Sequence, residues 1–321
     1  MGTLLEVRNL KTYFHTRKGI IHAVDDVSFT IKEGEVFGLV GESGCGKSMT
    51  ALSILRLVPF PGKIVGGEIF FRGKDLLKMD EEEIRKIRGR KISMIFQDPN
   101  TSLNPVFKVG DQVDEIQYIH FPQKALKEIK ENTIRLFEKV GIAKARIRRD
   151  EYPHEFSGGM KQRTMVSMSI ANIPDLLIAD EPTTALDVTV QARLIRLLLK
   201  LKEEYNLSIL LITHNLGLVA ETCDRVAVMY SGKIIEESDV YELFDNPLHP
   251  YTKGLLNCIP RVDRDIDYLQ AIKGYVPENY GGWNKCMFFD RCDFAFDRCK
   301  LSVPNLKRIR KDHKVRCFIY E

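Results

Sequence analysis

Residues 35–48 read Glu-Val-Phe-Gly-Leu-Val-Gly-Glu-Ser-Gly-Cys-Gly-Lys-Ser, and this stretch decides the fold. Glu35 to Val40 reads as a buried strand, apolar from Val36 onward. Gly41-Glu42-Ser43-Gly44-Cys45-Gly46-Lys47-Ser48 fits G-x-x-x-x-G-K-[ST], and a helix is expected from about Lys47, with Leu52, Leu55 and Leu57 on its apolar side. Glycines let successive backbone N–H groups turn inward at a helix start and cradle phosphate oxygens. Gly41, Ser43, Gly44, Cys45, Gly46 and Met49 are therefore candidate phosphate-site residues. Lys47 would bring its charge to the β- and γ-phosphates, and the Ser48 hydroxyl would ligate Mg²⁺. Cys45 reads as a small tolerated side chain rather than a redox handle.

A second apolar strand, Leu176 to Ala179, ends in Asp180-Glu181-Pro182. A carboxylate at such a strand tip, Asp180, can bind Mg²⁺ through water, and Glu181 beside it can polarise an attacking water. A helix is expected over Val188 to Tyr205, where Leu194, Leu197, Leu198 and Leu201 recur at helical spacing. Ser208 to Thr213 and Val226 to Tyr230 are further strands, the latter turning at Ser231-Gly232. Strands alternating with helices imply an α/β fold with a parallel sheet covered on both faces. Between Asn104 and Met160 the sequence turns charged and helix-rich, an inserted helical subdomain. Asn246-Pro247-Leu248-His249-Pro250 is a breaker-rich junction into a proline-punctuated, cysteine-bearing tail.

Phe156-Ser157-Gly158-Gly159-Met160-Lys161-Gln162-Arg163 supplies a second anion-binding device, a hydroxyl and free N–H groups at a helix start. Two phosphate-binding turns far apart in one chain are what the ATP-binding cassette (ABC) family shows, and the chain resembles that family here. The family's Leu-Ser-Gly-Gly-Gln signature stands in variant form, with Phe156 leading and Met160 trailing around an intact Ser157, Gly158 and Gly159. Gln97, in Ile95-Phe96-Gln97-Asp98-Pro99, resembles the Q-loop glutamine. Ala185-Leu186-Asp187 resembles the D-loop, with Thr184 where Ser is common, and His214 resembles the switch histidine. An aromatic upstream of the phosphate loop should stack on adenine. Tyr13 and Phe14 both fit, strand alternation lets only one face the base, and Tyr13 is favoured.

The resemblance implies a P-loop cassette: a mixed or parallel sheet core, an antiparallel β subdomain and a helical subdomain at about 104–165. The cassette would span 1–245 and a C-terminal extension 246–321. It implies ATP and Mg²⁺ as cofactors, each ATP enclosed between one subunit's loop and a partner's Ser157-Gly158-Gly159. Mg²⁺ would sit on Ser48 and Gln97 with Asp180 behind. Glu181 would orient water, His214 would hold the γ-phosphate, and Asp187 would lie at the dimer seam. Gln97-Asp98-Pro99-Asn100-Thr101-Ser102-Leu103-Asn104-Pro105 and Leu248-His249-Pro250-Tyr251-Thr252 look like the dipeptide/oligopeptide (and nickel) importer subunits, of the D-type dipeptide ATPase. The resemblance therefore implies two transmembrane permeases, a second ATP-binding subunit, identical or homologous, and indirectly an extracytoplasmic binding protein.

The 321 residues, 44% hydrophobic and 29% charged, exclude a disordered or coiled-coil chain, and a net charge of +4 does not suggest nucleic acid. No apolar run reaches the roughly 18–20 residues of a bilayer span. The start, MGTLLEVRNLKTYF, has neither a signal-peptide pattern nor a complete myristoylation signal, so the chain is expected to stay in the cytoplasm, and the resemblance implies a peripheral place on the cytoplasmic face of the membrane through its partners. A nucleic-acid ATPase of repair or chromosome-structure type is the competing class. It would split the cassette with long coiled coils, and no sustained heptads occur between Gln97 and Phe156.

Four of the seven cysteines crowd the end of the chain as Cys286-x₅-Cys292-x₆-Cys299-x₁₇-Cys317. Four thiolates suit a [4Fe–4S] cluster or a Zn²⁺ site, and in a reducing compartment a metal is the first reading. The spacings lack the short knuckles of zinc sites and tip toward iron–sulfur, with zinc and free thiols as alternatives. Phe288, Phe289, Phe294 and Phe296 could shield the group. Lys307, Arg308, Arg310, Lys311, Lys314 and Arg316 could offset its charge or form a solvated basic face.

Overall fold

Alternating apolar residues build the N-terminal hairpin: Leu5, Val7 and Leu10 on β1 (Thr3–Thr16) and Val24, Val27, Phe29 and Ile31 on β2 (Gly19–Lys32) are all buried. The computed structural model describes residues 2–184, 187–258 and 272–321. These form two compact units, Met79–Leu210 and Gly2–Lys78 with Leu211–Glu321. After the hairpin come β3 (Val36–Val40), α1 (Lys47–Ile54), β4 (Gly62–Phe71) and β5 (Lys74–Asp75). β2, β1, β4 and β5 make a four-stranded antiparallel sheet in that order. Every residue of β3 is buried, as a central strand requires. α1 buries Thr50, Ala51 and Ile54; Leu52 is only half-buried and Leu57 is exposed. Of the expected apolar side, Leu55 is buried as the C-cap, while Leu57 is corrected to an exposed position beyond the helix end.

In the unit Met79–Leu210, α2 (Glu81–Ile87) opens on an Asp80–Glu83 capping box. β6 (Ile92–Ile95) runs parallel to β7 (Leu176–Asp180). Between them lie α3 (Pro99–Ser102), α4 (Val109–His120), α5 (Leu126–Lys139), α6 (Ala145–Arg148) and α7 (Gly158–Ile170). Residues 104–160 are helical and loop-like, without a strand. A polar chain stitches these helices together: Gln117 donates to Thr133 at 3.0 Å, Thr133 to Asp114 at 2.5 Å, and Arg149 to Asp114 at 2.7 Å. α8 (Val188–Tyr205) follows with the expected bounds, and β8 (Ser208–Thr213) carries the chain out of the unit.

The remaining elements are α9 (Leu216–Thr222), β9 (Arg225–Tyr230), β10 (Lys233–Asp239), α10 (Val240–Asp245), α11 (Pro250–Asn257), α12 (Asp297–Leu301), β11 (Lys307–Arg310) and β12 (His313–Val315). β9 runs parallel to β3, whereas β9, β10, β12 and β11 pair antiparallel in that order, so the sheet is mixed. The hairpin between β9 and β10 turns at Ser231 and Gly232, both at positive φ. Among the described residues no helix is long and apolar enough to cross a membrane.

β10 is the strand the sequence conceals, because Lys233, Glu236 and Glu237 interrupt its apolar character. All three are buried, and each finds a partner from a distant segment. Lys233 pairs with Asp25 at 2.8 Å and Glu237 with Lys314 at 3.0 Å. Glu236 accepts from the backbone N–H groups of Leu248 at 2.6 Å and His249 at 2.9 Å, and its carboxylate lies 2.7 Å from His313 Nε2.

Candidate functional site

The phosphate loop leaves β3 at Gly41, φ 153°, and enters α1 at Gly46, φ 108°. A Cβ on Gly41 would lie 2.2 Å from the Met229 carbonyl oxygen, and one on Gly46 2.2 Å from that of Ala23. Only glycine fits at either point. Gly46 caps α1 without a side-chain acceptor. Lys47 is buried, and its Nζ donates to the carbonyls of Gly41 at 2.8 Å and Glu42 at 2.9 Å. Ser43 and Gly44 form the exposed rim, and Ser48 and Met49 are half-buried. Burial raises the pKa of the Cys45 thiol, as suits a packed small side chain. The β9–β10 turn braces the loop, Gly232 N–H donating to the Cys45 carbonyl at 2.9 Å.

Tyr13 is half-buried, stacked on His22 at 3.7 Å between ring centroids, with its hydroxyl donating to Asp25 at 2.9 Å. Phe14, also half-buried, packs where a Cβ on Gly62 would meet its ring at 2.7 Å. His214 is exposed directly after β8.

The unit Met79–Leu210 carries the other expected residues. Asp180 is buried at the end of β7, and Glu181 follows at φ 45°. Gln97 Nε2 and Thr184 Oγ1 each donate to Glu181 Oε2 at 3.0 Å, so the fold gathers the Gln97 amide and the Glu181 carboxylate. Ser157 is the N-cap of α7, accepting from Met160 N–H at 3.3 Å. A Cβ on Gly158 would meet no described atom within 4 Å, and one on Gly159 only Val190 at 3.7 Å. Asp187 caps α8 by accepting from Val190 N–H at 2.9 Å, while Ala185 and Leu186 lie outside the described residues. Gln162, which sequence reasoning passed over, donates to the Pro182 carbonyl at 2.7 Å and ties α7 to the turn after β7.

Cys286, Cys292, Cys299 and Cys317 line one small cavity together with Phe288, Phe289, Phe294 and Phe318. Burial pushes Cys286 up to about 12 and Cys317 up to about 11, and raises Cys292. Among the described residues no three His, Cys, Asp or Glu side chains are arranged to hold a metal ion as they stand. The basic segment divides: Lys307, Arg308, Arg310 and Lys311 are exposed, whereas Arg316 is turned inward. Arg316 is buried, donating to the Ile234 carbonyl at 2.9 Å and to Asp26 at 3.3 Å, while Arg310 pairs with Glu242 and Lys307 with Glu321.

A glycine-built phosphate loop with a buried lysine, an acidic strand tip and a Ser-Gly-Gly helix start define a P-loop cassette. Residues 24–184 match the ABC transporter family, and residues 235–299 the oligopeptide/dipeptide transporter C-terminal region. The chain is 50% identical to the oligopeptide transport ATP-binding protein AppD of Bacillus subtilis, covering 100% of this chain and 98% of that protein. It is 44% identical to the dipeptide transport ATP-binding protein DppD of Escherichia coli, covering 98% and 96%. Among solved structures it is similar to the dimeric cassette MJ0796 bound to ADP and Pi, at 26% identity and a TM-score of 0.67, covering 74% of this chain and 99% of that one. The chain belongs to the ABC transporter family, among ATP-binding subunits that carry the oligopeptide/dipeptide C-terminal region, and it is an ATPase. The nucleic-acid alternative gains no support from these relatives.

Proposed function

We propose that this ATPase powers import of dipeptides or oligopeptides, as one half of a head-to-tail pair of ATP-binding subunits beneath two transmembrane permeases at the cytoplasmic face. The observation that carries the reading is the phosphate loop, with glycines at 41 and 46 that no other residue can replace and Lys47 held on the loop's own carbonyls. Lys47 and the loop N–H groups take the phosphates. Ser48, Gln97 and Asp180 would serve magnesium, Glu181 would orient the water, and His214 would meet the γ-phosphate. Positioning and charge neutralisation then supply most of the rate. Gln97 and Glu181 already share a hydrogen bond, so a change at either is felt by the other.

The pairing of subunits is supported by Gly158 and Gly159. Nothing in the described chain crowds them, so their smallness suits an outside group that must come close, here a partner's nucleotide. Peptide cargo is supported by the likeness to AppD and DppD, with nickel as the other cargo and a binding protein as the upstream carrier. The test is Glu181→Gln: ATP binding and ATP-driven dimerisation, followed by light scattering, should persist while turnover nearly disappears. Wild-type hydrolysis in that variant removes Glu181 from the role.

Four thiols around one aromatic-walled cavity supply the donor set of a [4Fe–4S] cluster, and Cys286, Cys292, Cys299 and Cys317 would hold it, zinc being the competitor. Such a group would tie the loop 286–299 to the C-terminal segment and supply a one-electron centre. Anaerobically purified protein should contain iron and acid-labile sulfide. Stoichiometric zinc, or no metal at all, ends the cluster assignment.

A further inference from the structure

We propose that Arg291 and Tyr251, both in the C-terminal extension, are positioning residues that set the affinity of the phosphate loop for ATP by gripping Glu42. The inference rests on the reading of residues 41–48 as the ATP loop. Glu42 is the second residue of that loop, and three of its polar groups are held. Its carboxylate takes a two-point bond from the Arg291 guanidinium, Nη1 to Oε2 at 2.7 Å and Nη2 to Oε1 at 3.0 Å. Its backbone N–H donates to the Tyr251 hydroxyl at 3.0 Å, and its carbonyl accepts from Lys47 at 2.9 Å. The extension therefore holds the same residue on which the phosphate-binding lysine rests.

Both gripping groups are buried and held by neighbours. The Arg291 side chain is only 6% exposed. Its Nε donates to the Lys273 carbonyl at 2.6 Å, and the guanidinium lies over the Tyr230 ring at 5.7 Å. Tyr251 is fully buried, edge-on to Tyr230 at 4.7 Å and to Phe288 at 5.4 Å between centroids. A planar fork fixed at three sides suits bidentate recognition of a carboxylate, which lysine cannot reproduce.

The chemistry of the ligand explains why the grip matters. ATP brings several negative charges to a loop that already carries a carboxylate at its second position. Paired with Arg291, Glu42 is neutralised and its backbone is fixed. Unpaired, it repels the triphosphate and releases the strut on which Lys47 rests. The effect belongs to binding rather than to the chemical step, because Glu42 lies outside the residues assigned to water activation.

The experiment measures MgATP binding and steady-state hydrolysis in the full chain for Arg291→Gln, Arg291→Lys, Tyr251→Phe, Glu42→Gln and the double variant Arg291→Gln/Glu42→Gln. Arg291→Gln should raise Kd and KM on the order of tenfold with kcat within about twofold, the rise shrinking at high salt. Arg291→Lys should fall between the wild type and Arg291→Gln. The double variant should recover most of the affinity, because the stranded carboxylate is gone. Tyr251→Phe, which keeps the ring packing, should raise KM a few-fold. Unchanged KM in Arg291→Gln, or a double variant as weak as the single, overturns the proposal. Lys47→Ala is the separate control: if it binds ATP as the wild type does, the loop reading itself fails.

Discussion

His249, at the N-cap of α11, is wholly buried, and burial holds its imidazole down to about 4 against the pull of Glu236. Its Nδ1 accepts from the Tyr251 N–H at 3.0 Å, so the neutral ring is part of the cap that places Tyr251. In the unfolded chain a histidine takes up its proton near pH 6.5. Above that pH neither state is charged and the full stability is present. As pH falls below it only the unfolded state binds the proton, so stability is lost at about 1.4 kcal/mol per unit, until the native ring titrates near pH 4. The loss amounts to about 2 kcal/mol between pH 6.5 and 5, and about 3 kcal/mol by pH 4. Asparagine keeps a capping oxygen and does not titrate, which makes His249→Asn the comparison. Urea unfolding followed by the fluorescence of Trp283, the single tryptophan and itself in the extension, supplies the assay. Other titrating groups are common to both proteins and cancel in the difference. The stability difference between wild type and variant should shift by about 2 kcal/mol between pH 6.5 and 5. A difference that does not move with pH refutes the burial argument.

Gly46→Ala forces a Cβ against the Ala23 carbonyl at positive φ, and should lower the melting temperature and abolish ATP binding together. Gly158→Ala meets no neighbour, so it should leave melting unchanged while removing ATP-driven dimerisation and turnover; lost stability there would contradict an open surface. Glu236→Leu strands the donors of Leu248 and His249 and the ring of His313, and should destabilise the extension by about 3–5 kcal/mol, read as an earlier Trp283 transition in urea. Tyr13→Ala and Phe14→Ala, compared by KM for ATP against GTP, identify the adenine platform; equal and small effects from both would remove the stacking assignment.

The parts of the fold legible in the sequence were those governed by local physics. The buried strand Val36–Val40 and the helix Val188–Tyr205 announce themselves by continuous apolarity and by leucines at helical spacing. The phosphate loop is legible because its glycines answer to close backbone contacts that admit no substitute. Illegible features depend on partners far away in the chain. β10 carries charges that look solvated until Asp25, His313 and Lys314 arrive to pair with them. The basic run 307–316 reads as a surface patch, yet Arg316 is buried by carbonyls and a carboxylate contributed from residues 26, 234 and 304. Gln162 had no signal at all, since its bond to the Pro182 carbonyl depends only on where α7 happens to run.

The extension illustrates how such distant pairing builds a site. Its His-Pro-Tyr run is a set of local rules in series: His249 caps α11, Pro250 fills the first helical position where no N–H is needed, and the helix then aims Tyr251 inward. That geometry holds because Glu236, on β10, captures the two backbone N–H groups just before the helix. One short turn, Phe289–Arg291, then sets Arg291 on Glu42 and leaves the next residue, Cys292, lining the four-cysteine cavity. Tyr251 approaches Glu42 from its backbone and Arg291 from its carboxylate, so neither grip substitutes for the other. The glutamate in the loop and the tail that meets it are therefore parts of a single device.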